Sequence, residues 1–118
     1  MNTQTSGKRG EDAACQYLKK KNYTILARNY RKRYGEIDII AQKGSKIVFV
    51  EVKTRSSNRF GMPSEAVVFS KQQKIIKTAC AYLSERGLDI EVAFDVIEVF
   101  ISGSKVLSVN HIQNAFTT

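Results

Sequence analysis

Hydrophobic positions along this chain switch between two periods, and the switches mark its elements. From Lys8 to Lys21, the residues Ala14, Cys15 and Leu18 recur at three- and four-residue spacing, which predicts a helix preceded by Ser6 or Gly7. Lys19, Lys20 and Lys21 then lie at the negative end of that helix's dipole, where cations are favoured. Tyr23 to Tyr30 is β-forming, and the basic run Arg31, Lys32, Arg33 leads into a turn at Tyr34-Gly35. Glu36-Ile37-Asp38-Ile39-Ile40 alternates polar and apolar, Lys43 to Lys46 reads as a turn, and Ile47 to Lys53 is strongly β-forming, so the two segments predict a hairpin. Ser56 to Pro63 reads as a loop and holds the only proline.

A second helix is predicted after it. Ser70 is placed to cap, with Gln73 three positions on as in a capping box, followed by Ile75, Ile76, Ala79, Cys80 and Leu83 on one face and Gly87 at the end. Glu91 to Ile101 is a nearly unbroken β-forming run with Asp95 inside it, the pattern of a strand buried on both faces. Gly103 turns the chain into a last strand, Lys105 to Val109. The order is α-β-β-β-α-β-β, an α/β fold within a single domain over residues 1–118.

Composition narrows the function classes. Hydrophobic residues make up 42% and charged residues 25%, which argues against disorder and fibrous repeats. No apolar run approaches the roughly 20 residues of a membrane span, and Met1 to Thr5 lacks the apolar core of a secretory signal, so no membrane partner and a cytoplasmic location are expected. Cys15 and Cys80 each fall in a helical pattern without CxxC spacing, and both read as reduced core thiols. The net charge of +8 is concentrated: residues 1–60 hold 14 Lys and Arg against 5 Asp and Glu, and the remainder 5 against 6. Such asymmetry favours a polyanion, most often nucleic acid, although a basic surface also serves solubility.

Two features point to chemistry. Glu11 lies three, four and seven residues before Ala14, Cys15 and Leu18, on the apolar stripe of the first helix, which is unusual for a solvated carboxylate. In the hairpin, if Gly44 and Ser45 are the two loop residues, Lys43 pairs with Lys46 and Asp38 lies opposite Glu51. The next pair outward on that face is Glu36 with Lys53. Directly opposed like charges, with Cβ atoms about 5 Å apart, destabilise a sheet unless something offsets them, and a Mg²⁺ held by one or two carboxylates does so. The plainer possibility is a solvated sheet face on which Lys53 neutralises Glu51, and a slipped register or a bulge at Gly44 separates the acids altogether.

Asp38 followed by Glu51-Val52-Lys53 resembles the signature of the restriction-endonuclease-like PD-(D/E)xK superfamily. Across nearly the whole chain, Gly10-Glu11, Gly35-Glu36-Ile37-Asp38, Val48 to Lys53, Ser70-Lys71-Gln72 with Lys74, Phe94-Asp95 and Ala115-Phe116 are similar to the UPF0102 (YraN-like) family, which is placed near Holliday-junction resolvases. The resemblance implies a mixed sheet flanked by helices, Mg²⁺ (or Mn²⁺) dependence and a structured or branched DNA substrate. It implies Asp38 and Glu51 as metal ligands, Lys53 as the catalytic lysine and Glu11 as a carboxylate completing or supporting the site. Many relatives carry Arg two residues before the strand aspartate where this chain has Ala93, so a basic contact to Asp95 is absent. Asp95 itself reads as a buried, paired structural acid.

Arg31, Lys32, Arg33, Arg55, Arg59 and Lys71 are candidate contacts to a nucleic-acid backbone, and Gln73 is placed either to hold a water or strand or to cap its helix. His111 has no partner at a diagnostic spacing and is assigned no chemistry. The expected activity is metal-dependent phosphodiester hydrolysis in DNA, with a homodimer as a hypothesis because junction cutting uses two sites. The competing readings are a nucleic-acid-binding protein that keeps the nuclease fold without turnover, and an interaction module whose basic face docks an acidic protein.

Overall fold

The computed structural model describes residues 5–59 and 67–118, the side chain of Arg59 excepted. Helix α1 (Ser6–Lys20) is followed by strands β1 (Thr24–Lys32), β2 (Gly35–Lys43) and β3 (Lys46–Ser56), a short 3-10 turn, helix α2 (Phe69–Glu85), and strands β4 (Glu91–Ser102) and β5 (Lys105–Phe116). The five strands form one mixed sheet in sequential order. The β1-β2, β2-β3 and β4-β5 pairs are antiparallel, and β3-β4 is parallel, with α2 as its crossover.

Each face of the sheet has its own core. Ala14, Cys15 and Leu18 of α1 pack on Ile39, Val48, Val50, Ile97 and Val99, whereas Ile75, Ala79 and Tyr82 of α2 pack on Ile37, Ile40, Phe49, Phe94 and Val96. Alternation along β3 therefore sends Val48 and Val50 to α1, and Phe49 with Glu51 to α2. Two glycines set how closely the helices dock. A Cβ on Gly10 of α1 would lie 2.0 Å from Thr54 Oγ1, and one on Gly35 at the start of β2 would lie 2.5 Å from Thr78 Oγ1 and 3.0 Å from the Lys74 carbonyl. Both glycines precede an acid, Glu11 and Glu36, so close docking brings each helix down beside a carboxylate.

Several local expectations change. Thr5 caps α1, its hydroxyl accepting from the Lys8 N–H at 3.1 Å, rather than Ser6 or Gly7. Helix α2 starts one residue before Ser70, with Val68 at the cap position and no side-chain cap; Gln72, not Gln73, reaches back to donate to the Val67 carbonyl at 2.8 Å. The capping box fails because Ser70 is already inside the helix. Cys80 is exposed while Cys15 is buried, so only one of the two thiols belongs to a core. Ile75 and Ala79 lie on the buried stripe of α2 with Thr78 and Tyr82 beside them, Ile76 and Leu83 pack at its edge, and only Cys80 of the expected face is turned to solvent. Strand β5 runs to Phe116, well beyond Val109, because it follows β4 along nearly all its length. Residues Phe60 to Pro63 of the expected loop lie outside the described residues. Among the described residues no helix is long and apolar enough to cross a membrane.

Candidate functional site

The hairpin register is the one its turn residues imply. Gly44 adopts φ +60°, Lys43 pairs with Lys46, and the ladder runs outward to Ile39 opposite Val50. Past that point β2 and β3 part, β2 staying with β1 and β3 with β4. Asp38 accepts the Val52 N–H at Oδ2, 2.8 Å away, so a side chain takes a donor that a continued ladder would use on the main chain. The negative charge of Glu51 also acts on the Asp38 carboxyl. The two acids line one cleft, but neither of the expected ladder pairs, Asp38 with Glu51 and Glu36 with Lys53, forms, because the antiparallel ladder ends at Ile39 and Val50. Glu36 is drawn to Arg31, opposite it on β1, with Nη2 to Oε2 at 2.5 Å, and Lys53 runs beside Glu98 of β4 in the parallel ladder.

Burial gives the acid pair its character. Glu51 is only 7% exposed. Asp38 has its carboxyl pushed up to about 7, first by burial and then by the neighbouring negative charges of Glu51 and Glu11, against the opposing Val52 N–H. The pair lines a cleft of about 270 Å³ walled by Gly35, Glu36, Val52 and, from α2, Lys71, Lys74 and Ile75. Lys71 reaches across it to Glu51, Nζ to Oε2 at 2.5 Å.

The remaining expected site residues are placed as follows. Glu11 approaches from the α1 side: its charge is felt at Asp38, yet it does not line the cleft, and its nearest cation is Arg28, 3.6 Å away. Arg28 also binds Asp12 at 2.8 Å, a contact that holds the Asp12 carboxyl below its ordinary range. Lys53 is half-buried on the same strand face as Glu51, and among the described residues it has no ion pair. Lys32 pairs with Glu85 of α2. Arg33 and Gln73 are exposed. Arg55 is turned inward to Glu98 at 3.4 Å with only 16% of its side chain exposed, because the acid buried on β4 draws it in; this corrects its reading as a surface contact. The side chain of Arg59 lies outside the described residues.

One buried polar grouping went unread in the sequence, and a second was read only in part, its acid Asp95 being expected as buried and paired but not its partner His111. Glu98 also accepts from Asn110 Nδ2 at 3.0 Å, and its signal was a charge inside an apolar central strand. On the α1 face, Asp95 meets His111 Nε2 at 2.7 Å and the Asn114 N–H at 3.0 Å, while His111 Nδ1 lies 3.2 Å from the Tyr17 hydroxyl. His111 thus supplies Asp95 with a partner in a chain that has Ala93, itself buried in the α1-side core.

The donor set of the cleft, carboxylate oxygens with room for water, suits a hard divalent ion. Among the described residues no group of three or more His, Cys, Asp or Glu side chains converges as a metal cage. The class defined by this arrangement is an α/β protein with a five-stranded mixed sheet in the order α-β-β-β-α-β-β, consistent with a nuclease-like fold, and with paired acids at the splayed end of a hairpin.

Comparison with known proteins gives the family. Residues 10–99 match the uncharacterised protein family UPF0102. The chain is 50% identical to a UPF0102 protein of Caldanaerobacter subterraneus subsp. tengcongensis, over 98% of both chains. It is 45% identical to one of Caldicellulosiruptor saccharolyticus, over 98% of this chain and all of that one, and 47% identical to one of Geobacter sulfurreducens, over 93% and 87%. This chain belongs to the UPF0102 family.

Proposed function

We propose that residues 1–118 form one nuclease-like domain acting as a cytoplasmic, Mg²⁺- or Mn²⁺-dependent endonuclease on structured or branched DNA. The observation that carries the proposal is the placing of Asp38 and the buried Glu51 in one cleft, where burial first and the charges of Glu51 and Glu11 next push the Asp38 carboxyl up to about 7. Asp38 and Glu51 would hold the ion, and the Val52 N–H fixes one oxygen of Asp38 at the edge of the cleft that both acids line. A bound divalent ion there supplies Lewis-acid activation of the scissile phosphate and of a water. Lys53, two residues from Glu51 on the same strand face, orients the attacking water or stabilises charge growing on the phosphate. Glu11 supports the site through its field at Asp38, and Lys71 and Lys74 neutralise the backbone entering the cleft. Arg31, Lys32, Arg33 and Gln73 are positioning contacts within this reading. A homodimer is part of it, since two cuts in one junction call for two such clefts.

A non-catalytic nucleic-acid-binding protein is the second reading, and one observation favours it: Glu51 already has a counter-cation in Lys71. Incubating purified protein with linear, nicked, flapped and four-way DNA in Mg²⁺ or Mn²⁺, beside Asp38→Ala and Lys53→Ala, separates the two. Cleavage by the native protein and by neither variant supports the nuclease. Cleavage persisting in both variants assigns it to a contaminant, and binding without any cleavage supports the second reading. Sedimentation with and without DNA tests the dimer.

A further inference from the structure

We propose that Lys71 is the resident counter-cation of the acid pair, clamping Glu51 while the cleft lacks a metal and releasing it when a DNA phosphate draws the ammonium away, so that metal and DNA bind cooperatively. This rests on the reading of Asp38 and Glu51 as metal ligands.

Three observations carry it. The contact is one-sided: Glu51 is 7% exposed, whereas the Lys71 side chain is 49% exposed, so the acid is fixed and the cation sits on a flexible stem open to solvent. Other lysine pairs among the described residues, Lys8 with Asp12 and Lys32 with Glu85, involve carboxylates 32% and 45% exposed. The position of Lys71 is also unexplained by its helix. It lies in the first turn of α2, which has no acidic residue and whose dipole disfavours a cation there. What stabilises an ammonium at that end is the cluster across the cleft, first Glu51, then Asp38 and Glu36. Finally, Lys71 occupies one of the two Glu51 carboxylate oxygens, and a second cation brought to the same carboxylate is repelled by the first.

Lys71 stays protonated throughout; only its partner changes. With Glu51 clamped, an ion entering the free protein must displace an ammonium. With DNA bound, the ammonium has a phosphate to move to, and Glu51 is released. Linkage makes the effect reciprocal: DNA tightens metal binding by the factor by which metal tightens DNA binding.

The test is a Mn²⁺ titration of the full chain, reading free Mn²⁺ by electron paramagnetic resonance, alone and with a four-way junction protected by phosphorothioate linkages. The native protein is compared with Lys71→Gln, Lys74→Gln and Asp38→Asn, each checked for native melting. Lys71→Gln is expected to bind Mn²⁺ about fivefold or more tightly without DNA, and to lose most of the gain that DNA confers on the native protein. Lys74→Gln removes a charge from the same cleft without an ion pair to Glu51, and is expected to tighten binding much less. Equal tightening by both variants, or unchanged or weaker Mn²⁺ binding by Lys71→Gln, overturns the clamp. If Asp38→Asn abolishes binding in that case, the metal site itself survives. Absence of Mn²⁺ binding in every protein, with DNA and without, overturns both.

Discussion

A carboxyl that titrates near neutrality is the most consequential single group in this molecule. Asp38 has an ordinary value of 3.8 when the chain is unfolded and about 7 when it is folded, with burial the largest cause. Between those values the folded state holds the extra proton. The contribution of this group to stability is thus complete below about pH 3.8 and is lost as pH rises through about 7, a change on the order of 4 kcal/mol. Asp38→Asn cannot ionise. Urea unfolding is expected to find the variant more stable than the native protein at pH 8, with the difference shrinking towards pH 4; a difference that is flat with pH would contradict the assignment. Metal affinity has the opposite pH dependence, because the ion needs the ionised form, so Mn²⁺ binding is expected to strengthen up to about pH 7.

A second residue-scale expectation concerns His111. Its ring fills the space between Asp95 and Tyr17, and Asp95 is 3% exposed. His111→Ala leaves a buried carboxylate with only the Asn114 N–H, at a cost of about 2–4 kcal/mol. Asp95→Asn with His111→Ala together should cost less than the two single changes added, a coupling that denaturant melts of the four proteins read directly.

Among elements, the docking of α1 on β3 depends on one missing atom. Gly10→Ala gains about 1 kcal/mol of helix propensity, but its Cβ meets Thr54 Oγ1 at 2.0 Å, far inside contact distance. The clash wins, and a net loss of about 1–3 kcal/mol is expected. Thr54→Ala removes the nearest clashing atom and should restore part of the loss in the double variant. A Gly10→Ala protein as stable as the native one would mean that α1 does not sit this close. The hairpin is the opposite kind of element, set by itself: Gly44 at φ +60° fixes the turn, and the turn fixes which residues of β2 and β3 face each other. That is why the convergence of Asp38 and Glu51 was legible in the sequence, whereas the fate of Glu36 and Lys53 was not. Their partners, Arg31 and the neighbourhood of Glu98, come from strands outside the hairpin.

At the scale of the whole molecule, charge is spread along the chain as the sequence suggested but is only partly available to a polyanion. Arg55 is used inside the fold, and Arg31 and Lys32 already have acidic partners. Arg33 is exposed on the β1-β2 turn. Under the proposed function, Arg33→Ala is expected to weaken DNA binding similarly for all sequences and to lower the slope of log affinity against log salt by about 1, measured by fluorescence anisotropy between 50 and 200 mM salt. An unchanged slope would remove Arg33 from the contact surface.

The sequence by itself determined the order of helices and strands, the two-sided burial of β4, and the register of the central hairpin. Periodicity and turn geometry act over a few residues and need nothing from the rest of the fold. Only the tertiary structure decided which cation or donor serves which acid: Lys71 for Glu51, Arg55 and Asn110 for Glu98, His111 for Asp95. Each of those pairs joins different elements, and a contact of that kind is set by how a helix or strand comes to rest against the sheet, which no local pattern records.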